Sequence, residues 1–175
     1  MRCRPRHSGL SLALAATVAC NEGLAPFPEP TTCPAGFVGI CGTLTFRGAV
    51  PESTDAVYVV AYQTLPQTRA ELFSFQPPLL LLQPLRLDTS SVFFTVPLPD
   101  GRYEWVLAAW VKQGFTLANA DSTLREAGFY RGGADTTRFG SGIVVVSGTG
   151  TDSIDFVVDF TNMHPVSFYF PAFDR

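Results

Sequence analysis

The sequence predicts one all-β domain, a seven-stranded Greek-key β-sandwich that follows an export signal and a proline-rich tether. The chain of 175 residues has the length of a single domain. After residue 37, short apolar segments with a two-residue period alternate with glycine, proline and aspartate. Because no segment of helical period is long enough to compete with these strands, we expect the all-β class.

Composition excludes several classes of protein. Hydrophobic residues make up 46% of the chain and charged residues 15%, which is too apolar for intrinsic disorder. No apolar run reaches the roughly 18 residues of a membrane-spanning helix. The formal net charge is -3, and removal of three arginines with the signal would leave nine basic residues against fifteen acidic ones. We therefore exclude nucleic acid as a partner, because the surface lacks the cations that neutralise phosphate.

The first nineteen residues have the organisation of an export signal. Three arginines within the first six residues precede an apolar stretch from Leu10 to Ala19. This stretch of about ten residues is too short to span a bilayer. Three prolines follow within the next eleven residues, a composition typical of a flexible linker. We predict a signal peptide over residues 1–19 and a tether over residues 20–36.

The residues Thr17-Val18-Ala19-Cys20 resemble the lipobox of bacterial lipoproteins, in which small or apolar residues precede a lipid-accepting cysteine. The resemblance covers four positions and departs from the common leucine at Thr17, so cleavage by an ordinary signal peptidase near Ala19 is the alternative. It implies that Cys20 carries two or three acyl chains, which hold a protein durably on a bilayer. Asn21, where a retention aspartate would otherwise stand, implies the outer membrane, with the domain facing the periplasm or the cell surface.

Cys33 and Cys41 are the cysteines left for the folded domain, since Cys3 would leave with the signal and Cys20 would be acylated. In an oxidising compartment their spacing predicts a disulfide, and a pair of buried free thiols is the alternative. The mature chain offers only one histidine, His164, to complete a metal site. We expect no metal and no cofactor.

Residue type and period predict seven strands in chain order. They are Val38–Phe46, Asp55–Thr64, Ser91–Leu98, Arg102–Lys112, Arg125–Arg131, Ile143–Ser147 and Ser153–Thr161. Three prolines make residues 70–88 a long connection with a short edge strand near Leu85–Leu87. We expect its leucines Leu79–Leu82 to fold back over an open end of the core, and an exposed apolar patch is the alternative.

Two of these strands indicate which face meets the core. In the last strand, the alternate residues Ile154, Phe156, Val158 and Phe160 are apolar, and acidic residues lie between them. The strand Arg102–Lys112 is apolar on both faces, with Trp105 on one and Trp110 on the other. Only one face can meet the opposite sheet, so we expect one tryptophan to lie under a loop or in solvent.

Three segments resemble the transthyretin-like, carboxypeptidase-regulatory type of domain, namely Cys41 to Phe46, Val92 to Leu98 and Leu98-Pro99-Asp100-Gly101-Arg102-Tyr103. In that family a glycine-led first strand and a turn of the form leucine, proline, any, glycine, any, tyrosine recur. The resemblance implies that Gly101 supplies a positive φ and that Tyr103 covers the core. It covers most of residues 37–161 and fits other immunoglobulin-like sandwiches equally. It implies an accessory domain without catalytic residues.

Candidate catalytic groups are few. His164 stands alone beside Pro165, and no nucleophile elbow or phosphate loop is present. We interpret the carboxylates as turn residues, as a solvated strand face or, for Glu126, as isolated, and therefore expect no enzyme; they are Asp100, Glu126, Asp152, Asp155 and Asp159. Two loops, Asn119–Ser122 and Gly148–Asp152, carry oxygen ligands of the kind that calcium uses, and we interpret them as ordinary turns.

The sequence thus predicts a membrane-anchored, non-catalytic envelope protein that binds or supports a partner. The expected partners are the bilayer, through acylated Cys20, and an envelope protein or a polysaccharide. The alternative is a carbohydrate-binding module whose exposed rings stack on sugars, with Trp110 and Tyr130 as candidates. We expect the sandwich to span residues 37–165 and an aromatic tail, with Phe168-Tyr169-Phe170, to span residues 166–175.

Overall fold

The computed structural model describes residues 30–68, 70–132 and 140–170. The predicted signal peptide and Cys20 lie outside the described residues, so the anchor remains a prediction. Within the described ranges, no helix has both the length and the apolar character needed to cross a membrane.

Strands dominate the described residues, and the fold is all-β as predicted. The ten strands are β1 (Gly39–Arg47), β2 (Thr54–Tyr62), β3 (Ser91–Pro97), β4 (Gly101–Tyr103), β5 (Trp105–Lys112), β6 (Leu124–Phe129), β7 (Val144–Val146), β8 (Gly150–Thr151), β9 (Phe156–Asp159) and β10 (His164–Pro165). Two short helices, α1 (Ala120–Thr123) and α2 (Val166–Tyr169), accompany them. Single 3₁₀ turns occupy Ala70–Phe73, Leu79–Leu81 and Leu117–Asn119.

The strands form two four-stranded sheets and one two-stranded sheet. In the first sheet, β1 pairs with β3 antiparallel on one side and with β8 and β9 parallel on the other. The second sheet has the order β10-β6-β5-β2, and its pairs are antiparallel. Strands β4 and β7 form the third. The parallel pairing of β1 with β9 joins the beginning of the domain to its end.

Two details differ from the sequence prediction. The strand expected over Arg102–Lys112 is divided at Glu104, whose backbone N–H donates to the Tyr62 carbonyl at 2.9 Å while β4 leaves to pair with β7. The edge strand expected at Leu85–Leu87 is wrong. Leu85 makes one backbone bond, to the Val57 carbonyl at 2.8 Å, and Pro84 beside it cannot donate another.

The main core lies between the two four-stranded sheets. Trp110 faces it from β5 and is 3% exposed. The alternation predicted for the last strand is confirmed, because its four apolar residues are buried here and Asp155 and Val157 face outward. Further members of this core are Ile40, Leu44, Val57, Val59, Phe94, Val96, Val106, Ala108 and Ala127.

A second apolar cluster covers the outer face of the second sheet. Trp105 and Leu107 of β5 and Val60 and Tyr62 of β2 supply its base. Leu72 covers them from the 3₁₀ turn, and Val166, Tyr169 and Phe170 cover them from α2 and the residue after it. The expectation that one tryptophan lies under a connection is thus confirmed for Trp105. Strands β2 and β5 are consequently buried on both faces.

The turn motif behaves partly as the family resemblance implied. Tyr103 covers the core, with no exposed surface, and its hydroxyl donates to the Pro99 carbonyl at 2.9 Å. The positive φ expected at Gly101 is wrong. Gly101 instead opens β4 and pairs with Val146, which requires extended backbone.

The predicted disulfide is confirmed. Cys33 and Cys41 are bonded, with their Cα atoms 5.5 Å apart. Cys41 is fully buried within β1, and the Cys33 backbone N–H donates to the Asp152 carboxylate. The bond therefore fastens the segment that precedes β1 to the body of the domain.

We expect the double variant Cys33→Ala/Cys41→Ala to lose about 2.5 kcal/mol of unfolding free energy, because its unfolded chain is no longer constrained by the small loop. Urea denaturation followed by tryptophan emission measures the loss. A variant whose midpoint matches that of the wild type would show that the bond contributes no stability.

Candidate functional site

A pocket of about 330 Å³ opens over the outer face of the second sheet. Its floor is formed by Tyr58 of β2, Ala109 and Val111 of β5, and Leu124 of β6. Ala109 is the smallest of these side chains and lies opposite Glu126 in the strand register. The pocket therefore exists where the second apolar cluster leaves part of the sheet uncovered.

Three connections form the walls. The segment between β2 and β3 contributes Leu72, Phe73, Phe75, Leu79 and Leu82. The turn after β5 contributes Phe115 and Leu117, and the C-terminal part contributes Val166, Tyr169 and Phe170. These walls are almost entirely carbon, so the pocket suits an apolar molecule.

Trp105 gives this pocket an unpaired donor. Its side chain lines the pocket and is 3% exposed, yet its indole Nε1–H has no acceptor among the described residues. Buried donors are nearly always paired, since leaving one unpaired costs about 1–3 kcal/mol. Trp110, by contrast, donates to the Thr54 hydroxyl at 2.7 Å. Trp105 therefore places an unsatisfied, solvent-inaccessible donor in the apolar cluster beside the pocket.

Polar side chains meet at one side of the pocket. Glu126 is 7% exposed, and its Oε2 accepts a bond from the Tyr169 hydroxyl at 2.7 Å. The same oxygen lies 2.7 Å from His164 Nδ1. The ring of His164 stacks on Phe168, with 4.3 Å between centroids. One buried carboxylate therefore joins β6, β10 and α2.

Sequence reasoning missed this group. The expectation that Glu126 is isolated is wrong, whereas His164, expected to be structural or incidental, has a structural contact with it. The two residues are 38 positions apart, and they meet because β10 pairs with β6 so that His164 lies opposite Glu126. The one available signal was a glutamate placed among apolar neighbours in a predicted strand.

The bonds of Glu126 to His164 and Tyr169 connect three elements of the fold. A histidine oriented by a carboxylate can act as a base when a nucleophile lies within hydrogen-bond distance. Among the described residues, the hydrogen bond recorded for His164 is the one to Glu126. Burial and the nearby Glu126 charge raise the pKa of Tyr169 above its ordinary value, so its hydroxyl stays protonated and remains a donor.

Four aspartates hold loops together by accepting backbone N–H bonds. Asp100 accepts from Gly148 at 2.6 Å, and Asp155 accepts from Thr43 at 2.6 Å. Asp152 accepts from Cys33, and Asp159 accepts from Thr161 at 2.9 Å. The bonds from Thr161 hold the pKa of Asp159 below its usual range. These carboxylates lie outside the lining of the pocket.

The two loops with oxygen ligands, Asn119–Ser122 and Gly148–Asp152, make the contacts that are typical of turns. Asn119 Oδ1 accepts from the Thr116 N–H at 2.7 Å and from the Thr123 hydroxyl at 2.9 Å, so it caps the turn. In the other loop, the carboxylate of Asp152 lies near Cys33 and Cys41. Both sulfurs are joined to each other, and a disulfide offers no thiolate to a metal.

The aromatic residues proposed for sugar stacking are placed differently from that expectation. Trp110 is buried in the main core, so its ring cannot stack on a sugar, and we correct the expectation of exposure. Tyr130 is partly buried and packs against the same core. In the predicted tail, Tyr169 and Phe170 are buried, whereas Phe168 is 55% exposed.

The leucines Leu79–Leu82 do not fold back over the core as a group. Leu80 is 96% exposed, Leu79 is 58% exposed and Leu81 is 57% exposed. Leu82 is partly buried against the second cluster. The expected fold-back is therefore wrong for the first three, which project because the 3₁₀ turn begins after Pro78 and buries none of its residues.

Comparisons of the chain with models of known protein families, with curated proteins and with solved structures find no match. The volume and apolar lining of the pocket are those of a site that suits small, mainly apolar molecules.

We expect stability to fall as the pH rises above about 10, because unfolded tyrosines then lose protons while folded Tyr169, whose pKa is raised, keeps its own. The stabilising contribution is complete below the ordinary value and is lost as the pH rises towards the folded one. In Tyr169→Phe, the alkaline loss should be smaller. Urea midpoints measured across this range test it.

Burial also raises the pKa of Tyr62, so Tyr62→Phe should reduce the same loss independently. Phe168→Leu alters α2 without removing a titrating group and should keep the wild-type slope. An unchanged slope in Tyr169→Phe would contradict the proposed shift.

Proposed function

We propose that this chain is a lipid-anchored, non-catalytic binding protein of the bacterial envelope. Acyl chains on Cys20 attach it to the outer membrane, and the pocket over the second sheet binds a small, mainly apolar molecule. The observation that carries the proposal is a pocket of about 330 Å³ whose walls are formed mainly by apolar side chains.

Export is supported from both ends of the tether. The lipobox-like residues place Cys20 directly after an apolar stretch of signal length. The Cys33–Cys41 disulfide is typical of oxidising compartments and is rare in the cytosol. Both features suit a domain that folds outside the inner membrane.

Binding is supported by the size and lining of the pocket. Its volume of about 330 Å³ falls within the range of small-molecule sites. Apolar walls favour an apolar ligand through the removal of its surface from water.

A non-catalytic role is supported by the hydrogen bonds that the polar side chains already make within the fold. Glu126, His164 and Tyr169 bond to one another and fasten α2 to the sheet. The aspartates hold turns, and they do not converge on the pocket. A reaction would need a nucleophile or an activated water at the centre of such a group.

The proposal includes a β-sandwich fold of the transthyretin-like type. Two sheets that face each other across one core are compatible with a β-sandwich, and the buried Tyr103 with its bond to Pro99 supports the transthyretin-like variant. A carbohydrate-binding role has less support, because flat exposed rings are what it requires and Trp110 is buried.

The anchor predicts a specific modification. Intact-mass analysis of detergent-extracted protein should show a chain that begins at Cys20 and carries added acyl mass. Cys20→Ser should be recovered in the soluble fraction, because a chain without acyl groups has no durable hold on the bilayer. Mature wild-type protein with an unmodified Cys20 thiol would contradict the anchor.

The pocket predicts saturable binding of a neutral apolar dye. N-phenylnaphthylamine should gain emission with the wild-type protein, and Ala109→Phe should weaken its affinity by at least about tenfold, because the added ring occupies the floor. Val145→Phe, at an exposed strand residue outside the pocket lining, is the matched control and should bind as the wild type does. Equal affinity of Ala109→Phe and wild type would exclude this pocket.

A further inference from the structure

The exposed leucines lie at the rim of the pocket. Leu79 and Leu82 line it, and Leu80, between them, is surrounded almost entirely by solvent. Pro77, Pro78 and Pro84 flank the segment and restrict its backbone. We call Leu79–Leu81 the leucine tip.

The shape of the leucine tip suits a fluid apolar phase. Successive side chains in a 3₁₀ turn point about 120° apart, so the three leucines project in different directions. No flat face results. A bilayer can surround such a projection on every side, whereas a protein partner would need a matching cavity.

The area of the leucine tip also argues against a protein partner. Its exposed fractions sum to about two full leucine residues, whereas a standard protein interface involves roughly 20–30 residues on each side. A stable protein interface buries about 800 Å² on each side. Insertion into a bilayer needs no minimum area, because each apolar group that leaves water contributes its own favourable transfer free energy.

The tether gives the leucine tip access to the membrane. Residues 20–32, which precede the disulfide-bonded Cys33, extend to at most about 45 Å, compared with the roughly 35 Å diameter of a domain of this size. An anchor at Cys20 therefore allows faces other than the one beside Cys33 to approach the bilayer.

We propose that the leucine tip inserts into the bilayer and that the pocket takes up an acyl chain of a bilayer lipid. This inference rests on the proposed function and names its ligand class. The chain occupies the space between the apolar walls. A saturated or unsaturated acyl chain is a narrow apolar body, which is what such walls favour.

The two tryptophans of the chain allow a direct test. The full-length, acylated protein is reconstituted into phosphatidylcholine vesicles whose acyl chains carry bromine, a contact quencher of indole emission. In Trp110→Phe, the remaining Trp105 lines the pocket and should lose most of its emission. In Trp105→Phe, the remaining Trp110 lies in the main core and should keep its emission.

Blocking the pocket separates occupancy from mere proximity to the membrane. Ala109→Phe in the Trp110→Phe background should restore Trp105 emission while the protein stays anchored. Ala109→Leu fills less of the floor and serves as a second variant if the phenylalanine disturbs folding. Val145→Phe, outside the pocket lining, should leave the quenching unchanged.

A reporter on the leucine tip tests insertion itself. Leu80→Trp in the Trp105→Phe background should show a blue-shifted emission that the brominated chains quench. Val145→Trp is the matched control, since Val145 is 56% exposed on a strand away from the pocket, and its emission should not be quenched.

The outcomes distinguish this inference from the proposed function. If Trp105 keeps its emission in brominated vesicles while the neutral dye still binds, the ligand is not a bilayer lipid and the proposed pocket function stands. If neither the dye nor the lipid is bound, both fail. Quenching that persists in Ala109→Phe, or a Leu80→Trp reporter that is not quenched, would overturn the inference.

Discussion

The constraint on which the rest of the structure depends is that β2 and β5 are apolar on both faces. One face of each is buried by the opposite sheet, as in any two-layer β fold. The other face would expose Trp105, Leu107, Val60 and Tyr62 to water unless further chain covered it. Covering that second face is the task of the long proline-containing connection and of α2.

The cover is held by polar bonds at its two ends. The Tyr62 hydroxyl donates to the Leu72 carbonyl at 2.6 Å and fixes the 3₁₀ turn. The Glu126 carboxylate, bonded to Tyr169 and close to His164, fixes the C-terminal part. Between these ends the small side chain of Ala109 leaves the floor open. The second apolar face of β2 and β5 is thus covered incompletely, and the uncovered part is the apolar pocket.

Local sequence signals predicted the positions of the strands better than the contacts between strands. The two-residue period located the strands, and the two-sided apolar pattern of β5 predicted that one tryptophan would lie under a connection. The break at Glu104 was not visible, because β4 departs only when β7 is present to pair with it. Glu126 and His164 were likewise separated in the chain and joined only by the pairing of β6 with β10.

By itself, the sequence determined the all-β class, the disulfide between Cys33 and Cys41, and the expectation of an exported, lipid-anchored chain, because period, spacing and the order of a signal are local properties. Only the tertiary structure decided which tryptophan lies in the main core, where the pocket opens, and that the leucine tip projects. Those features depend on which surfaces remain after distant strands have paired, and residue types alone do not state which partners will cover them.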